Sequence, residues 1–373
     1  MIIGIPRERK TLEQRVALTP TGAALLVKHG HTVLVEQSAG AGSFFPDELY
    51  VKSGATIAKS LEEVWSKAEL LVKVKEPHEE EYQYFRDDLI LFDYLHLAGL
   101  PDVANALLKG GVTSLAYELV QTEDRRLPLL EPMSEIAGKL SVLTGSYRLL
   151  SQHGGRGVLL GGSIGVSPAK VVVVGAGKAG RAACEIALGM GADVTVMDIS
   201  YKQLEYIEDH FGGKPRTVYS NPVSLLEETR NADLVIGAVL VPGAKAPRII
   251  TEEIIKAMQA GTVIVDISID QGGCVENIKT TSLKEPTYIE HDVIHYAVPN
   301  MPAQTARTST QALTAVTLPY VLKIANMGLT DALANDAALK ASLSTCKGKL
   351  TTKAVADDLS LSYTPIDEAL KLL

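Results

Sequence analysis

The run KVVVVGAGKAGRAACEIALGMGADVTVMD, from Lys170 to Asp198, constrains the fold of this chain more than any other segment. An apolar β-branched stretch leads directly into Gly175-x-Gly177-x-x-Gly180. A helix of small residues follows, then a second apolar stretch that ends in Asp198. Glycine triplets occur by chance in ordinary loops, but here strand, helix and acid all stand where a dinucleotide-binding unit needs them. Gly175 permits the tight turn, and Gly177 lets the backbone approach a pyrophosphate. Gly180 lets the helix pack closely on the strand, and the helix start at Lys178 and Ala179 presents free N–H groups, with that of Ala176, to an anion. Asp198, 18 residues past Gly180, is placed to accept hydrogen bonds from ribose hydroxyls. Its charge repels a 2′-phosphate, so the pattern favours NAD over NADP.

At 373 residues the chain is long enough for two domains. With 46% hydrophobic and 21% charged residues it has the composition of an ordinary globular protein. A net charge of −8, with no basic cluster to offset it, argues against nucleic acid and anionic membranes as partners. The longest apolar stretches, such as Ala232–Pro242, are far short of a membrane span. At the N-terminus an apolar run precedes the charges of Arg7–Lys10, the reverse of a signal peptide. Cys184, Cys274 and Cys346 are widely spaced and show neither metal-ligand nor disulfide spacing, which points to a reducing cytoplasm and to no bound metal.

Short β-branched runs alternate with amphipathic segments through the N-terminal third. Ile2–Ile5, Thr32–Val35, Leu70–Val74, Leu89–Phe92 and Thr113–Ala116 read as strands; Thr19–His29, Ser60–Lys67 and Pro101–Lys109 read as helices. Such alternation means βαβ units and a parallel sheet. A complete α/β domain therefore precedes the glycine motif. Between them, Pro132–His153 has its apolar positions at helical period and predicts a helix about 30 Å long. Further strands are expected at Pro215–Tyr219, Leu234–Ala238 and Val263–Ile267, and a second long helix at Thr308–Ala325. The remainder reads as mostly helical. The expected architecture is α/β: two Rossmann-like, doubly wound parallel-sheet domains with an interdomain cleft, linked by two long helices. Residues 1–131 and 308–373 would form one discontinuous domain, and 132–307 the dinucleotide-binding domain.

Open α/β sheets bind ligands beyond the carboxyl ends of their strands, so the ionisable residues just after each strand are the candidates. Arg15 follows the first strand, Lys75 follows Leu70–Val74, His96 follows Leu89–Phe92, and Asp270 follows Val263–Ile267. Each has a bland alternative. Arg15 is either a solvated loop charge or a fork for a carboxylate. Lys75 is either a strand-edge guard or a ligand group. His96 is either a core histidine or an acid/base, and Asp270 either holds an Asx turn or faces the cleft. Taken together, they read as a pocket for a small carboxylate.

The same residues bring out a resemblance. GIPRERKTLEQRVALTP, LLVKVKEP, YLHLA, LPLLEPMSEIAGKL, VVVVGAGKAG, DLVIGAVLVPGAKAP, VIVDISIDQGGC and NMPAQTARTSTQALT span almost the whole chain, which resembles the NAD-dependent L-alanine dehydrogenase family. The resemblance implies reversible oxidative deamination of L-alanine to pyruvate and ammonium, in a cytoplasmic homo-oligomer, usually a hexamer. It implies that Arg15 and Lys75 hold the substrate and that His96 and Asp270 are the catalytic acid/base residues. It further implies that Tyr94, Met133 and Asn300 line the substrate pocket, and that Ser134, Asp198, Ser220, Val239, Ile267, Asp270 and Met301 lie along the cofactor. Gln203 departs from the family pattern, which carries a basic residue near this point; Lys202 stands beside it. Two other readings remain open here: a dehydrogenase of another small amino acid, and a dinucleotide-binding regulator without catalysis.

Overall fold

A computed structural model describes residues 1–239 and 245–373. The end of the apolar run to Pro242 and part of the DLVIGAVLVPGAKAP segment, residues 240–244, thus lie outside the described residues. The chain divides into two compact units, Met1–Met133 with Ala303–Leu373, and Ser134–Pro302. The crossings fall at 133/134 and 302/303, against 131/132 and 307/308 read from the sequence. The helix Ala306–Met327 consequently lies entirely within the first unit.

The first unit is built on an eight-stranded sheet. From one edge its strands run Thr56–Ala58, Thr32–Glu36, Ile2–Ile5, Leu70–Val72, Ile90–Asp93 and Thr113–Ala116, all parallel. In chain order this is the doubly wound 3-2-1-4-5-6 arrangement, whose direction of winding reverses between Ile2–Ile5 and Leu70–Val72. Two strands from the C-terminal segment, Leu343–Cys346 and Lys349–Leu350, extend the sheet antiparallel. The sequence reading had this segment as mostly helical; the strands are short and owe their conformation to pairing with Thr113–Ala116 rather than to local pattern. Ser60 and Thr19 cap their helices by accepting the N–H of Glu63 and Gly22, as Ser and Thr at helix starts do. The core beneath is mostly aliphatic, with Leu71, Leu91 and Leu107 fully buried around the aromatic Trp65.

One internal contact of this unit bears directly on the site. Thr310, on the helix Ala306–Met327, accepts the N–H of Val16 at 3.1 Å and shares a 2.9 Å hydrogen bond with Ser43. The loop that follows the first strand, and carries Arg15, is thereby tied to a 22-residue helix.

Among the described residues the second unit has a seven-stranded sheet. Arg216–Tyr219, Asp193–Asp198, Lys170–Val174, Leu234–Gly237, Val263–Asp266 and Val293–Tyr296 are parallel and again follow the 3-2-1-4-5-6 order, with the reversal between Lys170–Val174 and Leu234–Gly237. Thr287–Glu290 adds an antiparallel edge. The helix Glu131–Arg148 ends earlier than the sequence pattern suggested, and a separate short turn, Ser151–His153, follows before Gly154.

His295 gives this unit a pH signature. It is almost fully buried on the strand Val293–Tyr296, its ring stacked on Tyr288 at 4.9 Å. Burial pushes its pKa down to about 4, against opposition from Glu290 and with smaller contributions from His291 and Lys279. Between pH 6.5 and 4 the unfolded chain therefore binds the proton and the folded one does not. Stability from this group is complete above pH 6.5 and is lost as pH falls towards 4. The loss is on the order of 3 kcal/mol. The variant His295→Phe is expected to gain stability relative to the wild type progressively below pH 6.5, measured by denaturant unfolding at several pH values. A difference that stays constant with pH would count against this account.

Candidate active site

In a parallel sheet all carboxyl ends lie on one edge, so the residues just beyond them converge without further design. In the first unit that edge carries Arg15, Lys75, Tyr94, His96 and Glu118. Arg15 is 2% exposed. Its Nε and Nη2 donate to the two carboxylate oxygens of Glu13 at 2.7 and 2.5 Å, a bidentate pair, and Nη1 approaches Met133 Sδ at 3.2 Å. Burial disfavours the charged guanidinium, but the Glu13 carboxylate outweighs that and holds Arg15 firmly protonated. The solvated-loop alternative for Arg15 is excluded by this burial. Glu13 and Arg15 line a cavity of about 380 Å³ with Glu8, Gln14 and Gly42.

Lys75 is 9% exposed and follows Leu70–Val72, a strand paired on both sides. It is no strand-edge guard. Its backbone N–H, with that of Val74, donates to Glu8 at 3.2 and 2.6 Å. Glu8 belongs to a buried group with Lys73, Glu81 and Asp93. Burial raises Glu8 to about 7, although Lys73 and the Val74 N–H oppose it. Burial also lowers Lys73, but Glu8 and Glu81 more than offset that and keep it charged. Asp93 is raised well above the carboxylate range by burial, and neither of its oxygens has a hydrogen-bond partner. The floor beneath this edge thus gathers four buried ionisable groups, Glu8, Lys73, Glu81 and Asp93.

His96 stands in the left-handed region, φ 48° and ψ 40°, with its side chain 48% exposed. A histidine tolerates this conformation better than most residues. Glu118 secures it: its carboxylate accepts the N–H of His96 at 2.6 Å and of Leu95 at 3.3 Å, while Nδ1 of His96 lies 3.7 Å away. The ring is parallel to that of Tyr94, centroids 5.9 Å apart. Tyr94 is itself fixed by donating its hydroxyl to Leu129 O, and Lys75 Nζ stands 6.0 Å from its ring. His96 is therefore an accessible imidazole on an ordered support, not a core histidine.

In the second unit the corresponding edge carries the glycine turn, Asp198, Ser220, Val239, Ile267, Asp270, Asn300 and Met301. Gly175 has φ +106°, and a methyl there would meet Ala238 O at 2.5 Å. The turn after Lys170–Val174 thus abuts the chain leaving Leu234–Gly237, at the reversal of winding. A methyl at Gly180 would lie 1.7 Å from Gly175 O, so the helix Lys178–Gly189 reaches the strand only with glycine there. At Gly177 nothing stands within 4 Å of the same position. That open face above a helix start, with the N–H groups beyond it, is a cradle of the shape a pyrophosphate requires. Asp198 accepts the N–H of Ala176 at 2.7 Å and of Ser200 at 2.8 Å, and Ser220 N–H donates to its main-chain oxygen. Val239 O accepts the Ser268 hydroxyl at 2.7 Å. Ile267 is half-buried and Met301 buried. Ser134 begins the unit on the helix Glu131–Arg148, whose Glu135 pairs with Lys178 of the glycine turn at 3.5 Å.

Asp270 is exposed, and its carboxylate accepts the N–H of Asn300 through both oxygens, at 3.0 and 3.1 Å. Asn300 has φ +54°. The Asx turn weighed for Asp270 is formed instead by Asp266, whose buried carboxylate accepts from Ser268, Cys274 and Val275. Asp266 and Glu118 both stand at strand ends, so the strand-end rule that selected His96 and Asp270 would have selected them too. Glu8 and Glu13 lay within the charged loop PRERKTLEQR, where only pairing in space distinguishes them from solvated charges. Among the described residues no group of three or more His, Cys, Asp or Glu is arranged to hold a metal ion. No described helix is long and apolar enough to cross a membrane.

A sheet wound in this order, with an open glycine turn at its reversal and an acid at the end of the next strand, defines a dinucleotide-binding α/β protein. Comparison with known proteins narrows that class. Residues 4–137 match the family model for the alanine dehydrogenase/PNT N-terminal domain, and residues 141–353 match the one for its C-terminal domain. Over 372 residues, all of both chains, the protein is 52% identical to an alanine dehydrogenase of Staphylococcus saprophyticus subsp. saprophyticus. It is 51% identical over 373 residues to alanine dehydrogenase 2 of Staphylococcus aureus, again over the whole of both chains. A solved L-alanine dehydrogenase superposes with a TM-score of 0.94 at 47% identity, over 96% of this chain and 99% of the other. A transhydrogenase from Sinorhizobium meliloti shares the fold, with a TM-score of 0.81 at 24% identity over 95% and 100% of the two chains. The chain belongs to the alanine dehydrogenase/PNT family.

Proposed function

We propose that this protein is an NAD-dependent alanine dehydrogenase, converting L-alanine, water and NAD⁺ reversibly into pyruvate, ammonium, NADH and a proton. The strongest support is full-length identity of about one half to alanine dehydrogenases. When bound, the cofactor would supply the redox chemistry, as a hydride acceptor for the substrate Cα. The glycine turn with Ser134, Asp198, Ser220, Val239, Ile267, Asp270 and Met301 would hold the cofactor, and the second unit is the NAD domain.

The first unit is the substrate domain. Glu13 occupies Nε and Nη2 of Arg15, orienting the guanidinium so that a substrate carboxylate displaces the weak Met133 sulfur acceptor from Nη1. Lys75, held from behind by Glu8, binds the carbonyl oxygen of pyruvate, and Tyr94 and Met133 wall the pocket; by family resemblance Asn300 also contacts the substrate. Fixing the substrate at two points contributes through proximity, a large share of a barrier reduction. Loss of hydride leaves an iminium, water adds to give a carbinolamine, and ammonia departs. His96 carries protons to and from that water and the amine, a role an accessible imidazole suits. Asp270, anchored on the Asn300 N–H, serves as a second proton carrier or orients the attacking water. The assembly is a cytoplasmic homo-oligomer, a hexamer as in the family.

Absorbance at the NADH band tests the reading. Loss of NADH with pyruvate and ammonium together is expected, with much lower rates for longer oxo acids. One methylene is typically worth about 1–3 kcal/mol, so 2-oxobutyrate turnover at low efficiency is compatible with it. Turnover faster with another oxo acid than with pyruvate would assign a different substrate, and no turnover alongside NADH binding would leave a cofactor-binding regulator.

A further inference from the structure

A cation stands beside Asp198 that neither the glycine pattern nor the proton chemistry uses. Arg181 lies in the first turn of the helix Lys178–Gly189. Its Nε donates to Ala176 O at 3.1 Å, and its Nη2 donates to Gln203 Oε1. The guanidinium carbon sits 3.4 Å from the ring centroid of Tyr206, so the planar group lies on the aromatic face. Asp198 accepts the N–H of the same Ala176. One residue of the glycine turn is thus gripped from both sides, by the acid through its N–H and by the arginine through its C=O. The two charges do not pair with each other: Asp198 is spent on Ala176 and Ser200, and Arg181 on Ala176, Gln203 and Tyr206.

We propose that Arg181 is a specificity-determining residue held in reserve. It is positioned to bind a phosphate on the adenosine 2′-oxygen, and Asp198 alone keeps that phosphate out. A 2′-phosphate beside this turn meets one carboxylate that repels it and one guanidinium able to donate two hydrogen bonds to it. Gln203 and Tyr206, both on the helix Tyr201–Phe211, act as a rest for the arginine. The inference rests on reading this edge as the dinucleotide site, which the controls below test separately.

The experiment is direct binding, by fluorescence titration of NADH and NADPH and by competition with ADP and 2′,5′-ADP. Asp198→Asn keeps an acceptor for the Ala176 N–H while removing the charge. It is expected to tighten NADPH by tenfold or more relative to NADH. Adding Arg181→Gln should abolish that gain. Because Asp198 variants disturb a turn, Arg181→Gln alone gives a second reading: it should weaken 2′,5′-ADP by several-fold more than ADP. A gain in NADPH binding that survives Arg181→Gln would overturn the proposal, as would equal effects of Arg181→Gln on the two nucleotides. Failure of the wild type to bind NADH would instead overturn the dinucleotide reading itself.

Discussion

Replacing His96 by alanine is expected to lower kcat for alanine deamination by about 10²- to 10⁴-fold, the usual contribution of a positioned acid/base group, while NADH still binds. The structure makes this a clean test. The His96 side chain is half exposed and its support comes from main-chain N–H groups bonded to Glu118, which an alanine retains. Loss of stability should be modest: the ring 5.9 Å from Tyr94 and its 3.7 Å approach to Glu118 disappear, and alanine suits the left-handed backbone less well than histidine. Asp270→Asn is the matching change in the second unit. It preserves an oxygen for the Asn300 N–H and removes only the charge and proton affinity. A similar fall in kcat with unchanged NADH affinity is expected. Single-turnover and steady-state rates, with NADH titrated separately, distinguish a chemical defect from a binding one. Near-normal turnover in either variant would remove that residue from the proton path.

For Arg15→Ala the expected result is a loss of substrate recognition. Charge-assisted hydrogen bonds contribute roughly 1.5–3 kcal/mol, and removing the guanidinium forfeits at least one of them to the substrate carboxylate. Pyruvate KM should rise and kcat/KM fall by roughly ten- to several-hundred-fold. NADH affinity should change far less. There is a folding cost to separate from this effect. Glu13 is as buried as Arg15, and removing the guanidinium breaks a buried ion pair, at about 3–5 kcal/mol. The double variant Arg15→Ala with Glu13→Gln removes the Glu13 charge and should recover stability without recovering pyruvate affinity. Equal losses for pyruvate and NADH, or recovery of substrate binding in the double variant, would contradict a substrate role for Arg15.

Much of the second unit was legible locally. The strand, glycine turn, helix and terminal acid of Lys170–Asp198 follow from β-branched character, from the steric freedom of glycine and from helical periodicity, all short-range properties. Their positions in the fold agree with that pattern to within a residue. The strand-end rule also put Arg15, Lys75 and His96 on one edge of one sheet, because parallel strands share a direction. What it left undecided was environment. Solvated and buried arginines look alike in PRERKTLEQR; the difference lies in Glu13 folding back onto Arg15. Lys75 read as either an edge guard or a ligand until pairing on both sides of Leu70–Val72 was known. Asp266 rather than Asp270 holds the turn, a choice made by N–H groups at Ser268, Cys274 and Val275. The two C-terminal strands carry no local signal for the same reason: four and two residues long, they become strands only by adding to a sheet formed by residues more than 200 positions earlier.

The sequence alone determined the α/β class, the site of the glycine turn in mid-chain, the acid at Asp198 and the set of strand-end side chains, since each depends on neighbours a few residues away. Only the tertiary structure decided how those side chains are held. It buried Arg15 on Glu13, stood His96 in an exposed left-handed turn on Glu118, anchored Asp270 on Asn300 and laid Arg181 on Tyr206 beside Asp198. Each of those outcomes joins residues distant in sequence, or turns on whether water is excluded. Both are properties of packing that no local pattern carries.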